Sequence, residues 1–319
     1  LFVAGMDYHI WQRLAVFGYL AAVALSVAVM LFGREINGSK RWLALGPFSF
    51  QPSEFAKVAL ILFLADLVTK NVKTIGKMWT LCRIMFWILP IVGLVGASNL
   101  STAIIILGIG VILIFVASPK YAQFALMGIA GACFMGIFLA LESYRLERLA
   151  IWRNPEKYEK GYQTLQGLYA IGSGGVFGVG IGNSVQKLGF VPEAQNDMIF
   201  SIICEELGIF GGLIVLMLYA YLLYRLFVIA QNAPDMFGSL MVSGIFIHIA
   251  LQVILNIAVV VNLMPNTGVT LPFISYGGTS VLFLLAEMGL ALSVAKGIKF
   301  EVNYYGKFSC TPNNRTPFF

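Results

Sequence analysis

Eight apolar segments, at roughly 11–33, 52–69, 80–97, 102–118, 121–141, 198–224, 238–261 and 279–298, each approach the ~20 residues a helix needs to cross a bilayer. Nothing else in the sequence restricts the fold as much. Lipid offers the backbone no hydrogen-bond partner, so segments of this length must satisfy their own N–H and C=O groups as helices. Charged residues make up only 11% of the chain, against about a quarter in soluble domains, which excludes a soluble enzyme. The expected fold is an all-α polytopic membrane protein, one helical bundle over 1–319 with about eight visible spans. The chain opens on Leu1, and Leu1–Met6 reads as the last turn of a span that starts upstream. Four cysteines, at 82, 133, 204 and 310, are too scattered for a disulfide framework or a zinc site.

Alternation of the spans places 1–10, 70–79, 119–120, 225–237 and 299–319 on one side, and 34–51, 98–101, 142–197 and 262–278 on the other. The first side carries Arg13, Lys70, Lys73, Lys77, Arg83, Lys120, Arg225, Lys296, Lys299, Lys307 and Arg315. The second, outside its one long segment, has only Arg34, Lys40 and Arg41. The positive-inside rule makes the first side cytoplasmic. Because the bases are sorted by membrane side rather than gathered in one patch, no nucleic-acid partner is expected. The long 142–197 loop then faces outward. It holds six acids (Glu142, Glu147, Glu156, Glu159, Glu193, Asp197) and six bases (Arg145, Arg148, Arg153, Lys157, Lys160, Lys187). A carrier more typically sets its polar groups at mid-membrane in broken helices; here they lie at the outer surface.

Charges inside spans are costly, so each needs an account. Glu54 and Lys57, three apart after Pro52, share a helix face and can neutralise each other; alternatively they form a polar wall for a headgroup site. Asp197 precedes an apolar helix, where it serves either as an N-cap or as a functional acid at the outer mouth. Glu205 and Glu206 would lie about 12–14 Å further along that helix, and a structural ion pair, with Lys57 or His248 for example, is expected. His248 itself reads as a buried hydrogen-bonder. Gly172–Gly182 is glycine-dense without any nucleotide-loop spacing. It is either a tight re-entrant turn or a set of bare N–H groups for a diphosphate, with Lys187 and the loop arginines beside it. The 265–279 segment, with two prolines and Gly277-Gly278, cannot be a plain helical hairpin and is expected to fold back beside the 142–197 loop.

Four blocks carry a resemblance. They are Asn37-Gly38-Ser39-Lys40-Arg41-Trp42 with Gln51-Pro52-Ser53-Glu54 to Lys57; Gly161-Tyr162-Gln163 with Ala170 to Gly175; Gly182-Asn183-Ser184-Val185-Gln186-Lys187-Leu188 with Pro192-Glu193-Ala194, Asp197 and Glu205-Glu206-Leu207-Gly208; and Leu271 to Gly278. On these blocks the chain resembles the SEDS family (shape, elongation, division and sporulation proteins) over about residues 1–300, and looks more like the FtsW and SpoVE branch than the RodA branch. Asn196 and Met198 flank Asp197 where many members have Thr and Phe; Asn99 stands where many have Asp, and Gly167 where many have Ser. The family has ten spans, so the resemblance implies that the first and most of the second are missing from this stretch.

The resemblance implies peptidoglycan glycosyltransfer: polymerisation of lipid II into β-1,4 glycan in division or sporulation, at the outer face of the bacterial cytoplasmic membrane. Implied partners are a class B penicillin-binding protein and other divisome membrane proteins. Asp197 maps onto the family's catalytic acid. Candidate substrate-binding residues are Lys187, Arg148, Arg153, Gln186, Glu193, Ser275 and Tyr276, with Glu54, Lys57, Glu205 and Glu206 structural or headgroup-lining. For the charge of the departing diphosphate, Lys187, the loop arginines or a divalent cation (Mg or Mn) would each suit. The competing readings are a lipid II flippase and a non-catalytic divisome scaffold. The topology is tested by impermeant thiol labelling of intact cells: Lys157→Cys should react and Lys73→Cys should not. The reverse pattern would overturn both the topology and the outward-facing site.

Overall fold

The computed structural model describes residues 2–36, 39–45, 48–118, 120, 123–125, 128, 150–298, 301–302 and 308–309. The span expected at 121–141 falls almost wholly outside them, as do Arg145, Arg148, Cys133 and Cys310. The helices are α1 (Phe2–Gly5), α2 (Tyr8–Phe32), α3 (Pro52–Asn71), α4 (Met78–Ser98), α5 (Leu100–Ala117), α6 (Tyr162–Gly174), α7 (Ile199–Gln231), α8 (Met236–Val260) and α9 (Gly278–Lys296). Of these, α2, α4, α5, α7, α8 and α9 are long and apolar enough to cross a membrane. Helix α3, expected as a further span, carries Glu54, Lys57, Asp66 and Lys70.

The fold is mostly helical rather than purely so. Strands β1 (Arg34–Ile36), β2 (Ser39–Leu45) and β3 (Phe48–Phe50) form a small antiparallel sheet in the order β1-β2-β3. The sequence signal was the pair of turn-type dipeptides, Asn37-Gly38 and Gly46-Pro47, between extended segments outside lipid.

The chain divides into two compact units. The first comprises Leu1–Tyr121, Leu223–Ala250 and Gly278–Phe319. Helix α3 is its centre, buried along nearly its whole length. Small residues admit the neighbouring helices closely: a Cβ at Gly244 would meet Ile61 Cγ2 at 2.6 Å, and one at Gly110 would meet Ile88 Cδ1 at 2.7 Å. The charges of α3 are settled within this unit. Lys57 Nζ lies 2.9 Å from Glu54 Oε1, and Lys70 Nζ lies 2.6 Å from Asp66 Oδ2, which also receives Gln12 through its other oxygen.

The second unit comprises Ala122–Leu222 and Leu251–Gly277. Here the segment expected as a plain outer loop contains α6, and the expected span at 198–224 is interrupted. Gly208 has φ 69° and ψ −170°, a region open essentially to glycine alone, so α7 kinks about two and a half turns after its start. The break is stitched to the glycine-rich turn after α6. Val179 N and Gly180 N donate to the carbonyls of Glu205 and Glu206 at 3.0 Å each, and Ile209 N and Phe210 N donate to Gly175 O (2.9 Å) and Val176 O (3.2 Å). The two backbones approach so closely that a Cβ at Gly178 would lie 2.1 Å from Glu206 O, and one at Gly208 2.3 Å from Val176 O. Gly208→Ala should therefore cost at least about 2 kcal/mol, from conformational strain and backbone overlap together. A lowered thermal unfolding midpoint in detergent checks it, and an unchanged midpoint would refute this account of the kink.

Candidate functional site

Asp197 stands two residues before α7, and its carboxylate is buried although it belongs to no helix. Gln163, in the first turn of α6, places its side-chain amide against it. Gln163 Nε2 donates to Asp197 Oδ1 and to the Pro192 carbonyl, both at 3.3 Å, while its Oε1 accepts from Asn266 Nδ2 at 2.9 Å. Asn256 of α8 donates to the Asp197 carbonyl (2.8 Å) and to the Val269 carbonyl (2.7 Å). Gly268, at φ +65°, faces the other carboxylate oxygen, and a Cβ there would lie 3.9 Å from Asp197 Oδ2. One oxygen is thus held by an amide, while the other faces a residue without a side chain.

The 265–279 segment folds back as expected from its prolines and glycines. Ser275 Oγ donates to Asn196 O (2.5 Å) and accepts from Leu271 N (2.7 Å), and Tyr276 N donates to Gln195 O (2.8 Å). Ser275 is therefore a buried turn residue, whereas the Tyr276 ring is exposed. Phe273 takes φ 62°, which turns the chain sharply before Ser275. Gly167 and Met198, both singled out in the sequence, meet here: a Cβ at Gly167 would lie 3.5 Å from Met198 Sδ.

Burial pushes the Asp197 carboxyl up to about 6, and the negative charge of Glu193 adds to the rise. Hydrogen bonds from the amides of Asp197 and Met198 and from Gln163 pull the other way. Glu193, itself at φ 55°, accepts from Asn196 Nδ2. A carboxylate raised in this way is still mostly ionised at neutral pH, yet is a stronger base than an ordinary aspartate. In stability terms the sign is negative. The folded state binds the proton more tightly, so stability falls as pH rises from about 4 to about 6, and the full cost remains above that.

The other candidates divide between local structure and surface. Lys187 Nζ lies 2.6 Å from Glu206 Oε1, and Glu205 accepts from Ser184 Oγ and from the amides of Val185 (3.1 Å) and Gln186 (3.4 Å). The expected pairing of Glu205 and Glu206 with Lys57 or His248 is thus replaced by partners in the 184–187 turn. The kink at Gly208 ends the first helical turns just after the two acids, which bind the 184–187 turn. The diphosphate reading of Gly172–Gly182 also gives way, since the amides of Gly178, Val179 and Gly180 are spent on Gly174, Glu205 and Glu206. The Gln186 Oε1 is buried without a partner among the described residues. Arg153 is exposed, and Arg148 lies outside the described residues.

In the first unit, Glu54 and Lys57 form the expected buried pair. His248 is a buried hydrogen-bonder, its Nδ1 lying 2.9 Å from both oxygens of Glu287. Sequence reasoning passed over Glu287, Gln163, Asn256 and Asn266. For Glu287 and Asn256 a signal existed: a polar side chain inside an apolar span must have a partner. Gln163 stands in a block that carries the resemblance but was given no role, and Asn266 lies in a polar stretch where nothing distinguished it.

The family model of the cell cycle proteins FtsW, RodA and SpoVE matches residues 1–299. The chain belongs to this family, and it is a multi-pass membrane protein. Stage V sporulation protein E of Bacillus subtilis (strain 168) is 39% identical over 308 residues, spanning 92% of this chain and 82% of that protein. A probable peptidoglycan glycosyltransferase FtsW of Saccharophagus degradans is 34% identical over 316 residues, spanning 96% of this chain and 81% of its own length. Among solved structures, a chain of a peptidoglycan synthase complex that coordinates polymerization and crosslinking superposes with a TM-score of 0.81 at 31% identity, covering 94% of this chain and 86% of its own.

Removing Lys57 would strand the buried Glu54 carboxylate, a loss of about 3–5 kcal/mol for a broken buried pair. Lys57→Met should lower the unfolding midpoint and the folded yield together, and Glu54→Gln/Lys57→Met should recover much of both. A Lys57→Met protein of normal stability would remove the structural role given to this pair.

Proposed function

We propose that the chain is a peptidoglycan glycosyltransferase that polymerises lipid II into β-1,4 glycan at the outer face of the bacterial cytoplasmic membrane, with Asp197 as general base. Relatives that bear the glycosyltransferase name, and the likeness to a chain of a peptidoglycan synthase complex, support the activity. The observation that carries the residue assignment is the buried Asp197 carboxylate, raised to about 6 and oriented by Gln163 with its second oxygen facing Gly268. The same likeness supports a class B penicillin-binding protein as partner.

The transfer inverts the anomeric centre. Asp197 takes the proton from the acceptor 4-hydroxyl as that oxygen attacks the donor anomeric carbon; the bond from that carbon to the diphosphate oxygen breaks, and the lipid diphosphate leaves with the electron pair. Charge on the departing diphosphate falls to Arg153 and the neighbouring loop arginines, because Lys187 is already neutralised by Glu206. Among the described residues no group of three or more His, Cys, Asp or Glu is arranged to hold a metal ion. Asp197 and Glu193 offer a hard cation two carboxylates at most, so Mg or Mn would take its remaining ligands from water and substrate phosphate and would lower the charge on the leaving group.

The flippase alternative draws on Glu54, Lys57, Glu205 and Glu206 as the lining of a polar passage. Each instead has a charged or amide partner on its own or an adjoining segment, which favours the transferase.

The test is lipid II turnover by Asp197→Asn in complex with its transpeptidase, with unfolding measured in parallel. The rate should fall about 10²–10⁴-fold, and the wild-type rate should rise with pH through about 6 and then level. The variant should be at least as stable as wild type at pH 8, an advantage that disappears below about pH 4. Near-normal polymerisation by the variant would return the flippase and scaffold readings.

A further inference from the structure

We infer that the turn from Gly175 to Phe190 is a membrane anchor, its apolar side chains seated among the acyl chains at the bilayer boundary rather than in water. It lies in the middle of the 142–197 stretch that span counting assigns to the aqueous side. Its side chains say otherwise. Phe177 and Ile181 are 82% and 81% exposed, and Val176, Val179, Leu188 and Phe190 are exposed as well. A contiguous apolar surface of this kind is uncommon against water.

Three observations identify bilayer lipid as what covers it. First, the turn continues a surface that is itself lipid-facing by composition. Helix α7 is long and apolar enough to cross a membrane, and Ile209, Phe210, Leu213 and Met217 are exposed on it. The hydrogen bonds from Ile209 N to Gly175 O and from Phe210 N to Val176 O fix the turn at the end of that surface. Lipid that coats Ile209 and Phe210 therefore meets Val176 and Phe177 at the same edge.

Second, the irregular backbone is provided for. Non-helical chain near lipid is tolerated only where protein supplies its hydrogen bonds. The amides of Gly178, Val179 and Gly180 bond to Gly174 O (2.8 Å), Glu205 O and Glu206 O (3.0 Å each), and the glycines let that backbone press against α7. Third, three polar side chains of the turn are engaged by protein groups. Ser184 donates to Glu205, Lys187 to Glu206 and Asn183 Nδ2 to Val179 O (3.2 Å). The apolar side chains are left outside, the arrangement of an interfacial segment.

The inference needs only the multi-pass character of the chain, so it stands or falls separately from the transferase reading. Nitroxide labels at Phe177→Cys, Ile181→Cys and, as a water reference, Lys157→Cys would be introduced one at a time into the full chain lacking its native cysteines. The protein would be reconstituted in phosphatidylethanolamine/phosphatidylglycerol vesicles. Labels at 177 and 181 should collide with oxygen several-fold more, relative to a water-soluble nickel chelate, than the label at 157. Should the labelled chains fold poorly, Phe177→Trp in the native background should show added fluorescence quenched by brominated lipids. Nickel access at 177 equal to that at 157, protection that appears only when another protein is added, or an indole untouched by brominated lipid would each overturn the proposal.

Discussion

A single buried amide ties the candidate site together. Asn256, on the membrane-length helix α8, gives both of its protons to backbone carbonyls, one at Asp197 and one at Val269. Inside a bilayer protein neither carbonyl has water to fall back on, so each bond is worth more than its counterpart on a soluble surface. Through this side chain the mouth of α7, the body of α8 and the 262–278 segment hold a common position. Ser275 repeats the device one residue earlier, on Asn196 O, and Tyr276 N on Gln195 O. The acid is thus fixed through its backbone by Asn256 and at its carboxylate by Gln163.

Glycine performs the second kind of positioning. The stitch between Gly174–Gly180 and Glu205–Phe210 is backbone against backbone, at separations that no Cβ would permit. It breaks what hydropathy presents as one helix and turns Glu205 and Glu206 toward Ser184 and Lys187. The helical turns that follow Asp197 therefore end on a structured loop instead of running directly into lipid.

The spans were legible because the bilayer enforces length and apolarity, which are properties of composition. Asp197 was legible because it is an acid at the mouth of an apolar helix within a recognisable block. The fold-back of 265–279 followed from its prolines and glycines. What stayed hidden was set by pairing at long separation. No local pattern announces that Gln163 meets Asn266, or that Lys187 meets Glu206 across a glycine-rich turn. The break at Gly208 was hidden for a different reason: a glycine in an apolar run also serves close helix packing, and only the partner backbone at Val176 distinguishes the two. The sheet at 34–50 was missed because attention to lipid-length helices discounts hairpins outside the lipid.

The amide of Gln163 has a fixed sense. Asn266 Oδ1 is committed to the amide of Gly268 (3.1 Å), so its Nδ2 must face Gln163; the oxygen of Gln163 therefore faces Asn266, and its nitrogen faces Asp197 and the Pro192 carbonyl. An amide keyed in this way welcomes an ionised carboxylate and offers no acceptor to a protonated one. Gln163 therefore opposes protonation of Asp197, since turning the amide over would break two other bonds at once, while burial and the charge of Glu193 outweigh it and hold the carboxyl up at about 6. An acid held between these opposing influences is open to tuning from either side: loss of the Gln163 amide would raise its proton affinity further, and admission of water would lower it.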